Sequence, residues 1–371
     1  MEQWLVNVLL FFCIARATNG VSIIAHMANS PGAVRWALSQ GANGVEMDLQ
    51  FDGNIPDRFQ HSLDVEPCDC SCLCPIGKLC SGENICTALF ADTGSHCTAS
   101  TSFRLMAETL TNPAVVSKLA IIYIDSKLKN SMKDFYGAGA DLVRLLNLFV
   151  LDQGYRGQIV IDANYIIYSD YLKGALQEAL FSPYPDRYFY TFGSERGKSQ
   201  EVWTSLTQLK SDHIVYLTGI SACVPFTYLE EVKSNVARNQ YASVGIWTLD
   251  KASSMKQYLE VGVGFIMTNE PRVARQLIGV LNVPPPGKAL IPKPVDRPTT
   301  LQWKCECTYH KGGCTISRSA PPHSACKCSY KGAWTCDGQT VDCANSYLHV
   351  CINPDASKEA CIFGGGDCGG Y

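Results

Sequence analysis

The sequence predicts an α/β fold, a TIM-type (β/α)8 barrel followed by a small cysteine-rich module. Short apolar runs rich in β-branched and aromatic residues alternate with amphipathic helical patterns between residues 20 and 283. Eight such alternations over about 260 residues suit a closed barrel of parallel strands better than an open sheet. The strand candidates are VSIIAHM (21–27), GVEMDLQF (44–51), KLAIIYIDSK (118–127), GQIVIDA (157–163), RYFYTF (187–192), HIVYLTGI (213–220), SVGIWTLD (243–250) and VGFIMTN (263–269).

The composition is that of a globular protein, with 46% hydrophobic residues among 371 and a formal net charge of -3. A chain with no surplus of basic residues lacks the broad positive field that attracts nucleic acid. We therefore expect no nucleic-acid partner.

The first twenty residues are typical of a secretory signal. An apolar run from Trp4 to Ile14 is too short to span a bilayer comfortably and is followed by the small residues Ala15 and Ala17. Glu2 stands where a basic residue is usual, so an uncleaved anchor or a buried first strand are the alternatives. We expect residues 1–20 to be a signal peptide and the protein to be secreted.

Nineteen cysteines support export. Cys13 lies in the expected signal, seven lie in residues 68–97, Cys223 stands alone, and ten lie in residues 305–368. The remaining even number predicts disulfides in an exported chain. Zinc is the alternative, but the C-x-C spacing of these cysteines differs from the C-x₂-C pairs of common zinc sites.

Four segments follow from this pattern. After the signal peptide, residues 21–282 form the expected catalytic barrel, with residues 61–97 as a loop that disulfides hold in shape. Six prolines in the stretch 283–298 predict a semi-rigid linker over residues 283–300. Residues 301–371 are too few to bury a large core, so we expect a disulfide-stapled module, whose ligand the sequence leaves open.

Paired acids mark the second strand. Glu46 and Asp48 lie two residues apart in GVEMDLQFD and therefore on one face of the strand. Asp125 and Lys127 repeat this spacing on the next barrel strand. Because carboxyl ends of barrel strands meet at one mouth, we expect these groups to converge. A hard cation such as Mg²⁺ or Ca²⁺ would relieve the repulsion among the carboxylates and anchor a phosphate.

Each of these residue types has a simpler interpretation. An acid pair on a strand is commonly a solvated face, and Asp125 with Lys127 forms a plausible salt bridge. His26 and Trp247 taken singly are typical of a core, and His61 of a loop. A shared site is favoured because all of these residues except His61 fall at strand ends of one barrel face.

Six motifs in order carry a family resemblance: IAHMAN, GANGVEMDLQFD, YIDSKLK, GISACVPF, WTLD and GVGFIMTN. Over residues 20–280 the chain resembles the secreted sphingomyelinase D/phospholipase D toxins of spider venoms, which are relatives of the glycerophosphodiester phosphodiesterases. The resemblance implies that Glu46, Asp48 and Asp125 bind Mg²⁺ and that Lys127 contacts the phosphate.

The resemblance also implies an acid–base pair. His26 matches a histidine that acts on phosphorus, and His61 matches a second histidine that serves the leaving group or the attacking oxygen. Asp69 matches an aspartate that orients the second histidine, and Trp247 matches an aromatic residue that closes the site. One histidine can accept a proton while the other donates one.

The implied function is that of a Mg²⁺-dependent phospholipase D-type phosphodiesterase, a phosphorus–oxygen lyase. Its expected substrates are sphingomyelin or lysophospholipids at a membrane surface, and attack by the lipid's own hydroxyl would yield a cyclic phosphate. The alternatives are a glycerophosphodiester phosphodiesterase acting on soluble diesters and an inactive barrel that serves as a binding scaffold.

Cys223 is expected to pair with the cysteines of residues 68–97, since an unpaired Cys223 would leave an odd number there. The resemblance points to Cys70 as its partner. Such a bridge closes a loop of about 150 residues, for which chain entropy gives on the order of 4–5 kcal/mol. A buried free thiol is the alternative. Peptide mapping without reduction should find Cys223 resistant to alkylation in active protein, whereas a Cys223 that reacts as a free thiol rules the bridge out.

Overall fold

The protein is described by a computed structural model over residues 20–61, 100–220, 228–279 and 283–293, and over the backbone of the strands in residues 303–362. The strands of the first of its two compact units are β1 (Ser22–Ala25), β2 (Gly44–Asp52), β3 (Ile55–Phe59), β4 (Thr101–Ser102), β5 (Ile121–Ser126), β6 (Gln158–Asp162), β7 (Tyr188–Thr191), β8 (Val215–Gly219), β9 (Ser243–Trp247) and β10 (Phe265–Thr268).

Helices follow most of these strands. They are α1 (Pro31–Ser39), α2 (Phe103–Leu110), α3 (Pro113–Val116), α4 (Phe135–Leu146), α5 (Ser169–Phe181), α6 (Ser199–Gln208), α7 (Leu229–Arg238), α8 (Ala252–Val261) and α9 (Pro271–Ile278). Local sequence sets several starts: the Ser30 side chain accepts a hydrogen bond from the Ala33 amide, and Asp134 accepts one from Gly137. A π-helical turn, Asn147–Leu151, extends α4.

Eight parallel strands form one ring in chain order. The hydrogen-bonded neighbours run β7, β6, β5, β2, β1, β10, β9 and β8. A single parallel bridge between Tyr190 and Ile214 joins β7 to β8. The result is a nearly closed (β/α)8 barrel, and the eight predicted strands are confirmed, with β2 one residue longer than expected.

The barrel interior is filled by large side chains from several strands. Tyr123, Phe189 and Phe265 are almost completely buried and belong to one apolar cluster, against which Trp247 packs. Gly245 faces Phe265 across the β9–β10 pair, and a Cβ atom there would lie 2.0 Å from the Phe265 ring. The Phe265 ring therefore leaves no room for a side chain at position 245.

A hairpin that the sequence did not predict extends the second barrel strand. β2 runs past its parallel pairing with β5, turns at Gly53 and pairs antiparallel with β3. The Gln60 amide then donates to the Asp48 carbonyl oxygen at 2.8 Å. This hairpin returns the chain to the barrel mouth at His61.

The first part of the predicted semi-rigid linker, residues 283–293, packs against the barrel. Leu290 is 2% exposed and joins the apolar cluster of the barrel. Gln158 exchanges two hydrogen bonds with the Leu290 backbone, at 2.7 and 2.8 Å, and Asn43 donates to the Pro284 carbonyl at 3.0 Å. Since Gln158 opens β6 and Asn43 precedes β2, this segment covers the amino-terminal end of the barrel.

The second unit is built from antiparallel strands. Its strands are β11 (Trp303–Tyr309), β12 (Ser319–Ala320), β13 (Lys327–Cys328), β14 (Ala333–Cys336), β15 (Gln339–Asp342), β16 (Ser346–Ile352) and β17 (Ala360–Ile362). They form a four-stranded sheet in the order β12, β11, β16, β17 and a three-stranded sheet in the order β13, β14, β15.

Several expectations lie outside the described residues. These are the signal peptide up to residue 19, the insertion over residues 62–99, and the disulfides of the module and of Cys223. Within the described part of the chain, none of the helices is long and apolar enough to cross a membrane.

Candidate active site

Three carboxylates meet at the carboxyl end of the barrel. Glu46 and Asp48 lie on the same face of β2 and are 2% and 1% exposed. The parallel register sets Asp125 of β5 directly beside Asp48. One oxygen from each of the three side chains lies within 4.8 Å of the others. The convergence that the spacing predicted is confirmed.

Lys127 provides the positive charge beside this cluster. Its Nζ lies 2.8 Å from Asp48 Oδ1 and 2.6 Å from Asp125 Oδ2. Burial alone would lower the pKa of Lys127, but the charges of Asp125 and Asp48 outweigh it and hold that pKa well above its ordinary value. Lys127 is therefore cationic, and it offsets one of the three negative charges that the carboxylates carry when all of them are ionised.

The pKa values of the two acids on β2 move in opposite directions. Burial, followed by the charges of Asp48 and Asp125, raises the pKa of Glu46 well above its ordinary value. Burial also acts to raise the pKa of Asp48, but the charges of Lys127 and His61 bring it below its ordinary range. Glu46 is thus the carboxylate that lacks a cation.

The cluster fits a hard divalent cation. Glu46 Oε2 accepts a hydrogen bond from the Met27 amide at 2.5 Å, whereas Glu46 Oε1 is buried with no hydrogen-bond partner among the described residues. An orphaned buried carboxylate oxygen is costly unless a cation binds it. Carboxylate oxygens and a net negative charge are what Mg²⁺ and Ca²⁺ prefer. The acidic triad can therefore hold a metal ion.

Two asparagines hold the acids in place. Asn29 exchanges hydrogen bonds with Asp48, donating to Oδ2 at 2.6 Å and accepting from the backbone amide at 2.8 Å. Asn164 donates to Asp125 Oδ1 and, at 3.1 Å, to the Ser126 carbonyl. Its backbone is left-handed, with φ of 63°, and its own side-chain oxygen accepts from Ser194 at 2.7 Å. These contacts orient the candidate ligands.

His26 follows β1 and is fixed by a short chain of polar groups. Its Nδ1 lies 3.1 Å from Asn269 Oδ1, while Asn269 Nδ2 donates to Asp250 Oδ2 at 3.0 Å. Because the Asn269 amide nitrogen is directed at the carboxylate, its oxygen is left to accept from Nδ1–H. The lone pair of the neutral imidazole then lies on Nε2.

His61 reaches the same mouth from the β3 side. Gln50 of β2 donates to the backbone carbonyls of Gln60 at 2.9 Å and His61 at 3.3 Å. These two hydrogen bonds therefore hold the main chain at His61 against β2, the strand that carries Glu46 and Asp48. His61 lines the same cavity as Glu46 and Asp125.

A cavity of about 570 Å³ unites these groups. Trp247 lies on its wall, where Nε1 donates to the Gly193 carbonyl at 3.0 Å. The lining includes His26, Glu46, Gln50, His61, Tyr123, Asp125, Lys127, Lys129, Asp162, Asn164, Tyr165, Tyr168, Ser194 and Trp247. Both predicted histidines, Glu46, Asp125, Lys127 and Trp247 thus surround one cavity, and Asp48 lies beside Asp125 in the parallel register. Asp69, Cys70 and Cys223 lie outside the described residues.

Asp162 on the same wall was not singled out from the sequence. Burial, followed by the charge of Asp125, raises its pKa to about 7. The Tyr123 hydroxyl donates to Asp162 Oδ2 at 2.6 Å, and the Gly193 and Asn164 amides donate to Oδ1 at 2.8 and 2.6 Å. With all these donors directed at it, Asp162 braces the loops that follow β6 and β7.

Fold and site together define a class: a (β/α)8 barrel with an acidic, cation-suited cluster and two histidines at its mouth. The chain belongs to the dermonecrotic toxin family, since the family model Dermonecrotic toxin SPH matches residues 18–81 and 90–283. The resemblance read from the six motifs is confirmed.

Individual relatives agree with this membership. A dermonecrotic toxin of Loxosceles intermedia is 29% identical over 284 residues, which cover 72% of this chain and 85% of the toxin. A dermonecrotic toxin of Sicarius albospinosus is 27% identical over 264 residues, which cover 67% of this chain and 88% of that toxin.

Solved structures give a weaker likeness. A phosphodiesterase of Oleispira antarctica, solved in complex with sn-glycerol-3-phosphate, is 15% identical with a TM-score of 0.45. The match covers 70% of this chain and 97% of that one. Similarity at this level carries no argument about the activity of this chain.

We expect Mg²⁺ to raise the melting temperature, since an ion that binds only the folded state stabilises it by about 2.7 kcal/mol at a hundred times its Kd. Glu46→Gln should abolish the shift because it removes a ligand charge. Asn164→Ala should weaken Mg²⁺ binding about 10- to 100-fold by releasing Asp125. Differential scanning calorimetry with a Mg²⁺ series measures both.

Asp141→Asn is the matched control, because Asp141 is an exposed carboxylate on α4 that pairs with Arg144. This variant should respond to Mg²⁺ like the wild type. A Glu46→Gln protein that keeps the full shift would contradict the assignment of the acidic triad as the metal site.

Proposed function

We propose that this chain is a secreted, Mg²⁺-dependent phospholipase D-type phosphodiesterase. In this proposal it expels the headgroup of sphingomyelin or a lysophospholipid and leaves a cyclic phosphate. Membership of a toxin family and the abundance of cysteine support export. The lipid would be met at a membrane surface.

The observation that carries the proposal is one cavity lined by Glu46 and Asp125 of the acidic triad, by Lys127 and by both histidines. A phosphodiester brings a negative charge, which needs positive partners in a buried site. Lys127 is held cationic by Asp48 and Asp125 and can bind a non-bridging phosphate oxygen. A bound Mg²⁺ would neutralise charge that develops on phosphorus.

The histidines supply the proton transfers. With Nδ1 hydrogen-bonded to Asn269, His26 presents a basic Nε2 that can accept a proton or attack phosphorus. His61, tied through its backbone to Gln50, approaches the site from the β3 side. Expulsion of an alkoxide headgroup requires a proton donor, and His61 is proposed to be that donor.

In this proposal the lipid's own hydroxyl, and not water, attacks phosphorus beside the buried acids. Glu46 and Asp48 are buried, and Tyr123, Asp162 and Trp247 wall the cavity. An attacking group held in the same molecule as the phosphate gains a large effective concentration over water. Ring closure is therefore favoured over hydrolysis.

We expect purified protein with Mg²⁺ to convert sphingomyelin or lysophosphatidylcholine to a cyclic phosphate, observed by phosphorus NMR. His26→Asn should lower turnover by several orders of magnitude with little change in melting temperature, since His26 acts in chemistry. His213→Asn is the control, because His213 precedes β8 at the opposite barrel end. It should keep near-normal turnover.

Three outcomes would count against the proposal. Products only from soluble glycerophosphodiesters would make the protein a glycerophosphodiester phosphodiesterase. Release of a linear phosphate would show that the protein hydrolyses the lipid instead of forming a cyclic phosphate. No turnover of any diester by folded, Mg²⁺-loaded protein would favour a binding scaffold.

A further inference from the structure

An exposed apolar knob stands beside the cavity. The loop after β6 forms a short 3-10 turn, Ile166–Tyr168, in which Ile167 is 72% exposed. Tyr165, the residue before the turn, is 46% exposed. Burial of these two side chains against a binding partner would be favourable, because it removes apolar surface from water.

The knob is held in position. The Tyr168 hydroxyl donates to Asn130 Oδ1 at 2.9 Å, and its ring packs on Phe135 with centroids 5.0 Å apart. The Ile166 amide donates to Glu195 Oε1 at 2.9 Å. Three contacts on either side of Ile167 therefore fix the backbone that presents it.

The knob lies at the cavity rim among basic side chains. Tyr165 and Lys129 line the cavity, and Lys133 follows on the same loop after β5. Arg196 lies over the Trp247 ring at 5.5 Å. We name the set Lys129, Lys133, Tyr165, Ile167 and Arg196 the rim surface.

The three cations of the rim surface, Lys129, Lys133 and Arg196, are exposed. None of the three has an ion-pair partner within the described part of the chain. The nearby Glu195 pairs with Lys198 at 2.7 Å, and Asp134 accepts the amide of Gly137. An anionic partner would therefore gain Coulomb energy without breaking an existing ion pair.

We propose that the rim surface docks the protein on an anionic lipid bilayer, with Ile167 and Tyr165 inserted at the headgroup level. A protruding apolar and aromatic pair ringed by cations is the pattern of interfacial membrane binding, whereas a protein partner is better matched by a broad flat patch. Docking in this orientation places the cavity mouth against the lipid. The role of docking in turnover rests on the proposed function.

Vesicle sedimentation with a chelator tests the docking without turnover. Wild-type protein should bind phosphatidylcholine vesicles that contain phosphatidylglycerol more tightly than vesicles of phosphatidylcholine alone. Ile167→Ser should raise the apparent lipid dissociation constant about tenfold, and Lys133→Gln about fivefold. Neither residue lines the cavity.

The chain offers two matched controls at the other end of the barrel. Leu148 is 53% exposed beyond the end of α4, and Lys118 is exposed before β5. Leu148→Ser and Lys118→Gln should bind vesicles like the wild type. Equal losses in the control and rim variants, or no binding of anionic vesicles by the wild type, would overturn the docking surface.

A soluble substrate separates docking from the proposed function. Ile167→Ser should turn over a short-chain lysophosphatidylcholine below its micelle concentration at the wild-type rate and lose activity only on vesicles. If no variant or wild type turns over the soluble lipid while vesicle binding follows the expected pattern, the proposed function fails and the docking surface stands.

Discussion

Burial of three carboxylates on two adjacent strands is the constraint on which the rest of the site depends. The register that sets Asp48 beside Asp125 is imposed by barrel closure, so the repulsion between them cannot relax by separation. Lys127 contacts both aspartates but offsets only one negative charge, and the Met27 amide donates to one oxygen of Glu46. A divalent cation would offset the remaining negative charge and would give the unpaired Glu46 oxygen a partner.

The surrounding groups make this arrangement rigid. Asn29 and Asn164 each donate a hydrogen bond to one aspartate. Asn269, held by Asp250, gives His26 a defined tautomer. The acids and His26 therefore stand on the barrel itself, while His61 arrives on a hairpin tied to the same strand. A site built in this way keeps the acids and His26 in fixed positions at the carboxyl end of the barrel.

Much of this could be predicted because it is local. The eight barrel strands are short runs rich in β-branched and aromatic residues, and the spacing of Glu46 and Asp48 places both on one face. Asn269 could not be predicted, since a neutral amide leaves no charge pattern and its partner His26 lies 243 residues away. The packing of residues 283–293 against the barrel could not be predicted, because proline richness is typical of spacers. The two hydrogen bonds between Gln158 and Leu290 that anchor this segment are also long-range.

The most direct measurement is a crystal structure of protein soaked with Mn²⁺, which stands in for Mg²⁺ and is located by anomalous scattering. The account predicts one anomalous peak about 2.0–2.3 Å from oxygens of Glu46, Asp48 and Asp125, with Lys127 still beside the aspartates. Well-ordered acids with no anomalous peak among them, at Mn²⁺ concentrations that saturate activity, would contradict it.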